Sequence, residues 1–431
     1  MQAPSPVSAM VGLVTYLTEV ELNSGEPDIF VAAARGPDMK RLGYQTGASI
    51  VGSGAGITWE AARGAAIGEC LERYAACIVD PDTLLDSSYR SLVNNGYKAH
   101  SPSTWALFDK YQHIPYPEFT EDLIIAWTEG WDLISKDSIF VPACFSHLSS
   151  SEFLTRSGAK VIGPSVSTGC ACATSINESI LKGLLELIER DAFMIIWRNR
   201  LHIPEVTIDE DTALYQVYMS KFARPGLQYR IWNTTLDFSM PSFFGILFDH
   251  RGPDLRMIVG GAANLDAEKA VQKTLCELIQ GLSWLEYLGK DNSNASLKFD
   301  DIRNFTDRAL LYSSPMSLQN AYSFLFNNQK PIPLSSIKSF YGTVDEQLDY
   351  SLQEVVRRGF QPAAVDLTTD DVRETGFVVT RVTVPGLETM DGDFRLQMLG
   401  GKRWREVPVR LGYLSSPLSI DDINPYPHPY P

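Results

Sequence analysis

The sequence predicts a mixed α/β (α+β) fold, and three observations carry that. Runs rich in β-branched and aromatic residues alternate with long helical stretches. The three strongest helical patterns are spread along the chain rather than gathered in one half. The 431 residues are 44% hydrophobic and 21% charged, a globular composition for one large domain or two medium ones.

In chain order, Ile29–Ala34 reads as a strand. Gly52-Ser-Gly-Ala-Gly56 is not a Walker loop, since no Gly-Lys-Ser/Thr follows, and it reads as a tight turn. Thr58 is the expected N-cap of a helix over about Trp59–Ile78. The stretches Asp86–Thr104 and Gly163–Gly169 read as loops. Ser175-Ile-Asn-Glu178 fits a capping box that opens a second helix, Ile176–Arg198. Strands are expected at Tyr229–Trp232, Phe243–Phe248 and Arg256–Gly260, then a third helix over Ala267–Leu288. A loop over Asp291–Asn304 and strands at Ala363–Leu367 and Phe377–Val384 follow. The alternating prolines of Asn424-Pro-Tyr-Pro-His-Pro-Tyr-Pro431 fix φ and remove donors, so this tail should be extended. The expected organisation is a single domain over 1–420, with an N-terminal extension to about residue 45, and a Pro-rich tail over 421–431.

The net charge of −15 argues against a nucleic-acid binder, which needs Lys and Arg to neutralise phosphates. No apolar run approaches the roughly 18 residues of a membrane helix. No Lys or Arg precedes Arg35, so a signal peptide is not expected either, and the chain reads as a cytoplasmic protein without membrane contact. Six Cys without a CxxC pair and six His without HExxH argue against a disulfide scaffold and against a zinc site. The cysteines read as small core residues.

The three helices share an unusual device. The first carries Glu69-Cys-Leu-Glu72-Arg73, and Glu69, Glu72 and Arg73 fall within an arc of roughly 100°. Around them stand Ala65, Ala66, Ile67, Cys70, Leu71, Tyr74, Ala75 and Cys77. That is a buried helix with one narrow polar stripe. The second repeats the spacing as Glu186-Leu-Ile-Glu189-Arg190, with Lys182 and Glu178 on the same face. The third carries Glu277-Leu-Ile-Gln280, with Lys273 and Lys269 beside it. Each E-x-x-E-R alone fits a structural ion pair. Carboxylates converging from separate apolar helices repel each other unless a cation intervenes. Hard oxygen ligands without Cys or His favour Mg²⁺, which commonly shares its remaining sites with phosphate oxygens. Lys182, Lys269, Lys273, Arg73 and Arg190 would neutralise those oxygens, so a nucleotide triphosphate is the economical ligand.

These blocks resemble a known family. Thr58–Tyr74 looks like the first signature of the YcaO superfamily. Ser167-Thr-Gly-Cys-Ala-Cys-Ala-Thr-Ser-Ile-Asn-Glu178, running into Leu185–Ala192, looks like the second, and Leu275–Gln280 the third. The resemblance implies a YcaO-type fold of mixed sheets packed by helices that carry an internal ATP/Mg²⁺ site. It implies an enzyme that activates peptide-bond oxygens by phosphorylation. Glu69, Glu72, Glu186 and Glu189 match its magnesium-holding acids. Arg73, Glu178, Arg190, Glu277 and Gln280 match positions lining the nucleotide pocket, and Lys182 joins them on charge. Three places depart from the family pattern: Ala65 stands for a common Ser, Thr168 for Asn, and Ala173-Thr174 for a Gly-Asn pair.

Pro427-His428-Pro429-Tyr430-Pro431 resembles the C-terminal Pro-x-Pro-x-Pro of azoline-forming members. The resemblance implies a tail that enters the active site. There His428 or the end of Pro431 would assist proton transfer, positioned by Pro427 and Pro429. The implied reaction is ATP-dependent cyclodehydration of Cys, or of Ser and Thr, in a ribosomally made precursor peptide. Implied partners are that peptide with its leader, a separate leader-binding protein of the E1-like type, and a flavin-dependent azoline dehydrogenase where azolines are oxidised. A homodimer within a hetero-complex stays open. The alternatives are backbone thioamidation and a non-catalytic nucleotide-binding scaffold.

Overall fold

A computed structural model describes residues 4–430, apart from 24, 43–49, 106, 149–153, 155–157, 253–254, 290–297, 313–318 and 327–329. Pro431 and the first part of the expected loop Asp291–Asn304 lie outside these residues. Three sheets carry the fold. In the first, β1 (Tyr16–Glu19), β2 (Phe30–Arg35) and β3 (Val51–Gly56) run antiparallel in that order. The expected N-terminal extension therefore supplies two strands of a sheet.

The second sheet contains β4 (Leu85–Ser87), β5 (Ile125–Asp132), β6 (Ser138–Pro142) and β7 (Cys170–Ala173). The third contains β8 (Glu205–Thr207), β9 (Leu227–Asn233), β10 (Ser242–Asp249), β11 (Arg256–Ala263) and the short β12 (Ile332–Pro333). Its order is β11-β10-β9-β8-β12. β13 (Ala363–Asp366) and β14 (Val378–Thr383) return to the second sheet, whose order is β4-β5-β13-β14-β7 with β6 on β5.

Among the described residues, six helices of eight or more residues pack these sheets: α1 (Trp59–Cys77), α2 (Ile176–Asn199), α3 (Ala267–Gly289), α4 (Phe305–Tyr312), α5 (Val344–Arg357) and α6 (Arg403–Arg410). The three long helices expected from periodicity form with ends within one residue. No helix among the described residues is long and apolar enough to cross a membrane.

Helix α2 organises the interior because it is apolar nearly all round. Ile180, Leu184 and Ile188 pack with Val382 of β14 and with Val384 just beyond it in one core. Phe193, Met194 and Trp197, further along, pack with Trp232 and Phe244 of the third sheet in another. Helix α1 covers the opposite face of the second sheet, where Cys70 and Leu71 join Cys170, Val365 and Val379. Helix α3 covers the outer face of the third sheet through Leu275, Leu278 and Ile279.

Two expectations are corrected. Gly52–Gly56 is not a tight turn; it is strand β3. Its glycines alternate on the buried face, against α1. A Cβ on Gly54 would lie 2.6 Å from Ala65 Cβ and overlap the Ala62 carbonyl oxygen, while one on Gly52 would overlap that of Ala66. Absent side chains let strand and helix backbones touch. The stretch Asp86–Thr104 is not all loop either. It contains the helix Tyr89–Asn94, capped by Ser88 Oγ accepting from the Ser91 N–H at 3.2 Å. With Leu92 its one buried residue, this helix leaves no apolar period to read.

Candidate active site

Each acidic helix is first fixed by its cap. Thr58 Oγ1 accepts the Ala61 N–H at 3.2 Å, and Ser175 Oγ accepts the Glu178 N–H at 3.3 Å. The expected capping box at Ser175 is only half made. Glu178 turns outward to Lys182 at 2.8 Å and accepts from Thr174 Oγ1 at 3.3 Å.

The stripes then meet. Glu69 of α1 accepts from Arg73 at 2.5 Å and from the Ser53 N–H of β3 at 2.6 Å. Ser53 Oγ, on the other face of that strand from the glycines, accepts from Gln280 Nε2 of α3 at 2.6 Å. On α2, Glu186 pairs with Arg190 at 2.7 Å and accepts the Gly169 N–H at 2.9 Å. Arg190 also donates to Thr168 Oγ1 at 2.6 Å. Glu189 is buried and accepts the Ala263 N–H of β11 at 3.1 Å. Glu277 of α3 faces Lys273 at 3.5 Å and the Gly261 N–H at 3.4 Å. Lys269 is drawn off to Asp266 at 3.7 Å.

The result is a row of five carboxylates from three helices. Burial, and then the neighbouring Glu186 and Glu69 carboxylates, hold Glu72 well above the usual carboxylate range. Glu72 has no ion-pair or hydrogen-bond partner among the described residues. Burial and the facing Glu277 push Glu189 up as well, and burial raises Glu277. The partly exposed pairs Glu69–Arg73 and Glu178–Lys182 contribute little stability, so stability does not explain the row. A cation would relieve the repulsion. The described residues gather no group of three carboxylate, His or Cys ligands into a cage. Mg²⁺ takes one or two carboxylates and completes its shell with phosphate oxygens and water, and carboxylates are the donors this row offers. Arg73, Lys182, Arg190 and Lys273 place positive charge beside these acids through their pairs with Glu69, Glu178, Glu186 and Glu277.

No cysteine here is a ready nucleophile. All six are free thiols. Burial pushes Cys172, beside Glu72, up to about 12 and Cys170 up to about 11.

The tail docks through its carbonyls, since its prolines have no N–H to satisfy. Trp197 Nε1 donates to the Tyr426 carbonyl at 3.1 Å, Tyr312 Oη to that of Pro427 at 2.5 Å, and Arg308 Nη1 to that of His428 at 3.2 Å. Pro429 lines a small apolar pocket together with Met257, Val259, Trp284 and Tyr312. The His428 ring is buried, with Nε2 2.9 Å from the Asp391 carbonyl oxygen. Burial and the Arg308 guanidinium hold its pKa well below the usual histidine range. What the tail brings to the carboxylates is the Tyr430 hydroxyl, 3.5 Å from Glu189 Oε1.

Sequence reasoning missed Ser53 and Tyr430. The alternating Gly-Ser-Gly pattern was the signal for the first. A tyrosine between two tail prolines was the signal for the second. The departures fall within the same region: Ala65 is exposed on α1, and Thr168 holds Arg190.

The fold is shared with solved structures. A heterocyclase in complex with substrate and cofactor superposes with a TM-score of 0.76 at 21% identity, covering 99% of this chain. This chain spans only 56% of that one. YcaO from Methanopyrus kandleri, bound with AMPPCP and Mg²⁺, gives a TM-score of 0.60 at 20% identity, over 87% of this chain and 86% of that one. In sequence, an uncharacterized protein of Methanothermobacter thermautotrophicus is 26% identical over 361 residues, 81% of this chain and 84% of the relative. The model of the YcaO cyclodehydratase family, described as ATP- and Mg²⁺-binding, matches residues 53–388, which contain all three acidic helix segments of the row. With most of its length matched in this way, the chain belongs to the YcaO family.

Proposed function

We propose that this protein carries out ATP-dependent cyclodehydration of Cys, or of Ser and Thr, in a precursor peptide. The observation that carries the reading is the carboxylate row with the tail docked beside it, in a chain of this family. In the reaction, the substrate side chain attacks the preceding carbonyl. The amide oxygen, now an oxyanion, takes the γ-phosphoryl group of ATP with release of ADP, then leaves as phosphate while the amide nitrogen loses its proton, giving the azoline. Bound Mg²⁺ would supply charge neutralisation at the transferring phosphoryl group.

The protein's residues do the rest. Glu69, Glu72, Glu186 and Glu189 are the proposed metal-holding acids. Arg73, Lys182 and Arg190, with Glu178, Glu277 and Gln280, are the proposed nucleotide-side residues. The tail closes one side of the row and excludes water there. Since the nucleophile belongs to the substrate, the buried, protonated thiols of Cys170 and Cys172 are no obstacle. A leader-binding protein partner is part of this proposal. The E. coli microcin synthetase McbBCD complex, solved also with pro-MccB17 bound, shares this fold and supports it.

The test mixes the protein, its partner and a Cys-rich precursor with ATP and Mg²⁺. Loss of about 18 Da per ring supports cyclodehydration, a sulfide-dependent gain of about 16 Da means thioamidation, and no mass change without ATP hydrolysis means a scaffold.

A further inference from the structure

We propose that Tyr430 is a positioning residue for this reaction, holding the Glu189 carboxylate in register with the docked tail. The inference rests on the cyclodehydration reading and adds a residue that none of the three acidic segments contains.

The phenol is fixed by packing. Its ring lies 4.4 Å from that of Phe193 and 5.7 Å from that of Phe244, centroid to centroid. The residue is 6% exposed, so its hydroxyl needs a protein partner. Among the described residues that partner is Glu189, at 3.5 Å from Oε1. The other oxygen, Oε2, accepts the Ala263 N–H at 3.1 Å. The carboxylate is thus held at both ends, by the edge strand β11 at one oxygen and by the tail at the other.

The strand makes room for this contact. A Cβ on Gly261 would overlap the Tyr430 hydroxyl and come within 2.7 Å of the Phe243 carbonyl oxygen. Glycine is therefore required where the phenol crosses. The same Gly261 donates its N–H to Glu277 at 3.4 Å. Tail, edge strand and α3 meet at this one residue, and Glu189 of α2 is held two residues along the strand, at Ala263. A tail that lifts away removes a donor from Glu189, so seating of the tail and orientation of the carboxylate change together. The role needs no proton transfer by Tyr430.

Tyr430→Phe keeps the ring and its packing and deletes only the donor. In the assay above it should lower kcat about 10-fold, the usual weight of a hydrogen bond to a charged group, with KM for ATP and melting temperature little changed. Wild-type kcat in Tyr430→Phe overturns the proposal. Limited proteolysis of the 421–430 segment, without nucleotide, reads the latch independently of turnover. Faster cleavage in Tyr430→Phe is expected, and unchanged protection overturns it. If the wild-type protein makes no azoline, the functional reading fails, and the proteolysis arm still decides whether Tyr430 latches the tail.

Discussion

Gln280 Nε2 donates to Ser53 Oγ across 2.6 Å, tying helix α3 to strand β3 over 227 residues of chain. The Ser53 N–H in turn holds Glu69 of α1 at 2.6 Å. One small residue therefore sets the distance between two acidic helices. It can do so because its glycine neighbours give the opposite face of the strand to α1. The site is built around a strand rather than around a loop.

That strand should not tolerate side chains. Gly54→Ala places a Cβ 2.6 Å from both Ala65 Cβ and the Ala66 nitrogen. Overpacking of this kind costs about 1–3 kcal/mol. A lower melting temperature and weaker nucleotide binding, from displaced Glu69 and Glu72, are expected in a thermal-shift titration with Mg-ATP. A variant as stable as the wild type would show that the strand and helix can separate freely.

Glu72 gives a prediction with two signs. Its charge is opposed by burial and by Glu186 and Glu69. Glu72→Gln should therefore stabilise the ligand-free protein, on the order of 1 kcal/mol. The same change should abolish the stabilisation by Mg-ATP, which is about 2.7 kcal/mol at a hundredfold excess over Kd. Melting curves with and without Mg-ATP measure both, and a destabilised ligand-free variant contradicts the repulsion argument.

Glu189 sets a pH dependence. Burial and Glu277 push it up to about 8 from an ordinary value of 4.5 in the unfolded chain. Between those values the folded state keeps a proton that the unfolded state has lost. Stability from this group is therefore lost as pH rises through that window, and it is constant above it. Glu189→Gln removes the effect. The melting temperatures of variant and wild type should diverge in the variant's favour as pH rises toward 8, without nucleotide or metal. Parallel curves would remove the basis for a strained carboxylate row.

The tail anchors are separable from the chemistry. Tyr312→Phe leaves the Pro427 carbonyl without its donor at 2.5 Å. An unsatisfied buried acceptor costs about 1–3 kcal/mol, here falling on tail seating. Faster proteolysis within 421–430 and slower turnover are expected, with the helices' unfolding midpoint little moved. A tail as protected as in the wild type would mean that Trp197 and Arg308 suffice to hold it.

The acidic stripes were legible in the sequence because they are local. Residues three and four apart on a helix share a face whatever surrounds them, so Glu69, Glu72, Glu186, Glu189 and Glu277 could be grouped by spacing alone. The long helices and the main strands were legible for the same reason. The tail's extended form followed from its prolines. The tertiary structure decided the rest. Whether Gly52–Gly56 turns or runs straight depends on the helix that presses against it, which no local pattern carries. Which tail side chain faces the carboxylates depends on where the backbone carbonyls are caught. The catches are Trp197, Tyr312 and Arg308, far away in sequence, and they bury His428 and deliver Tyr430 to Glu189. Spacing sets which residues share a face, but only packing across hundreds of residues sets which faces meet.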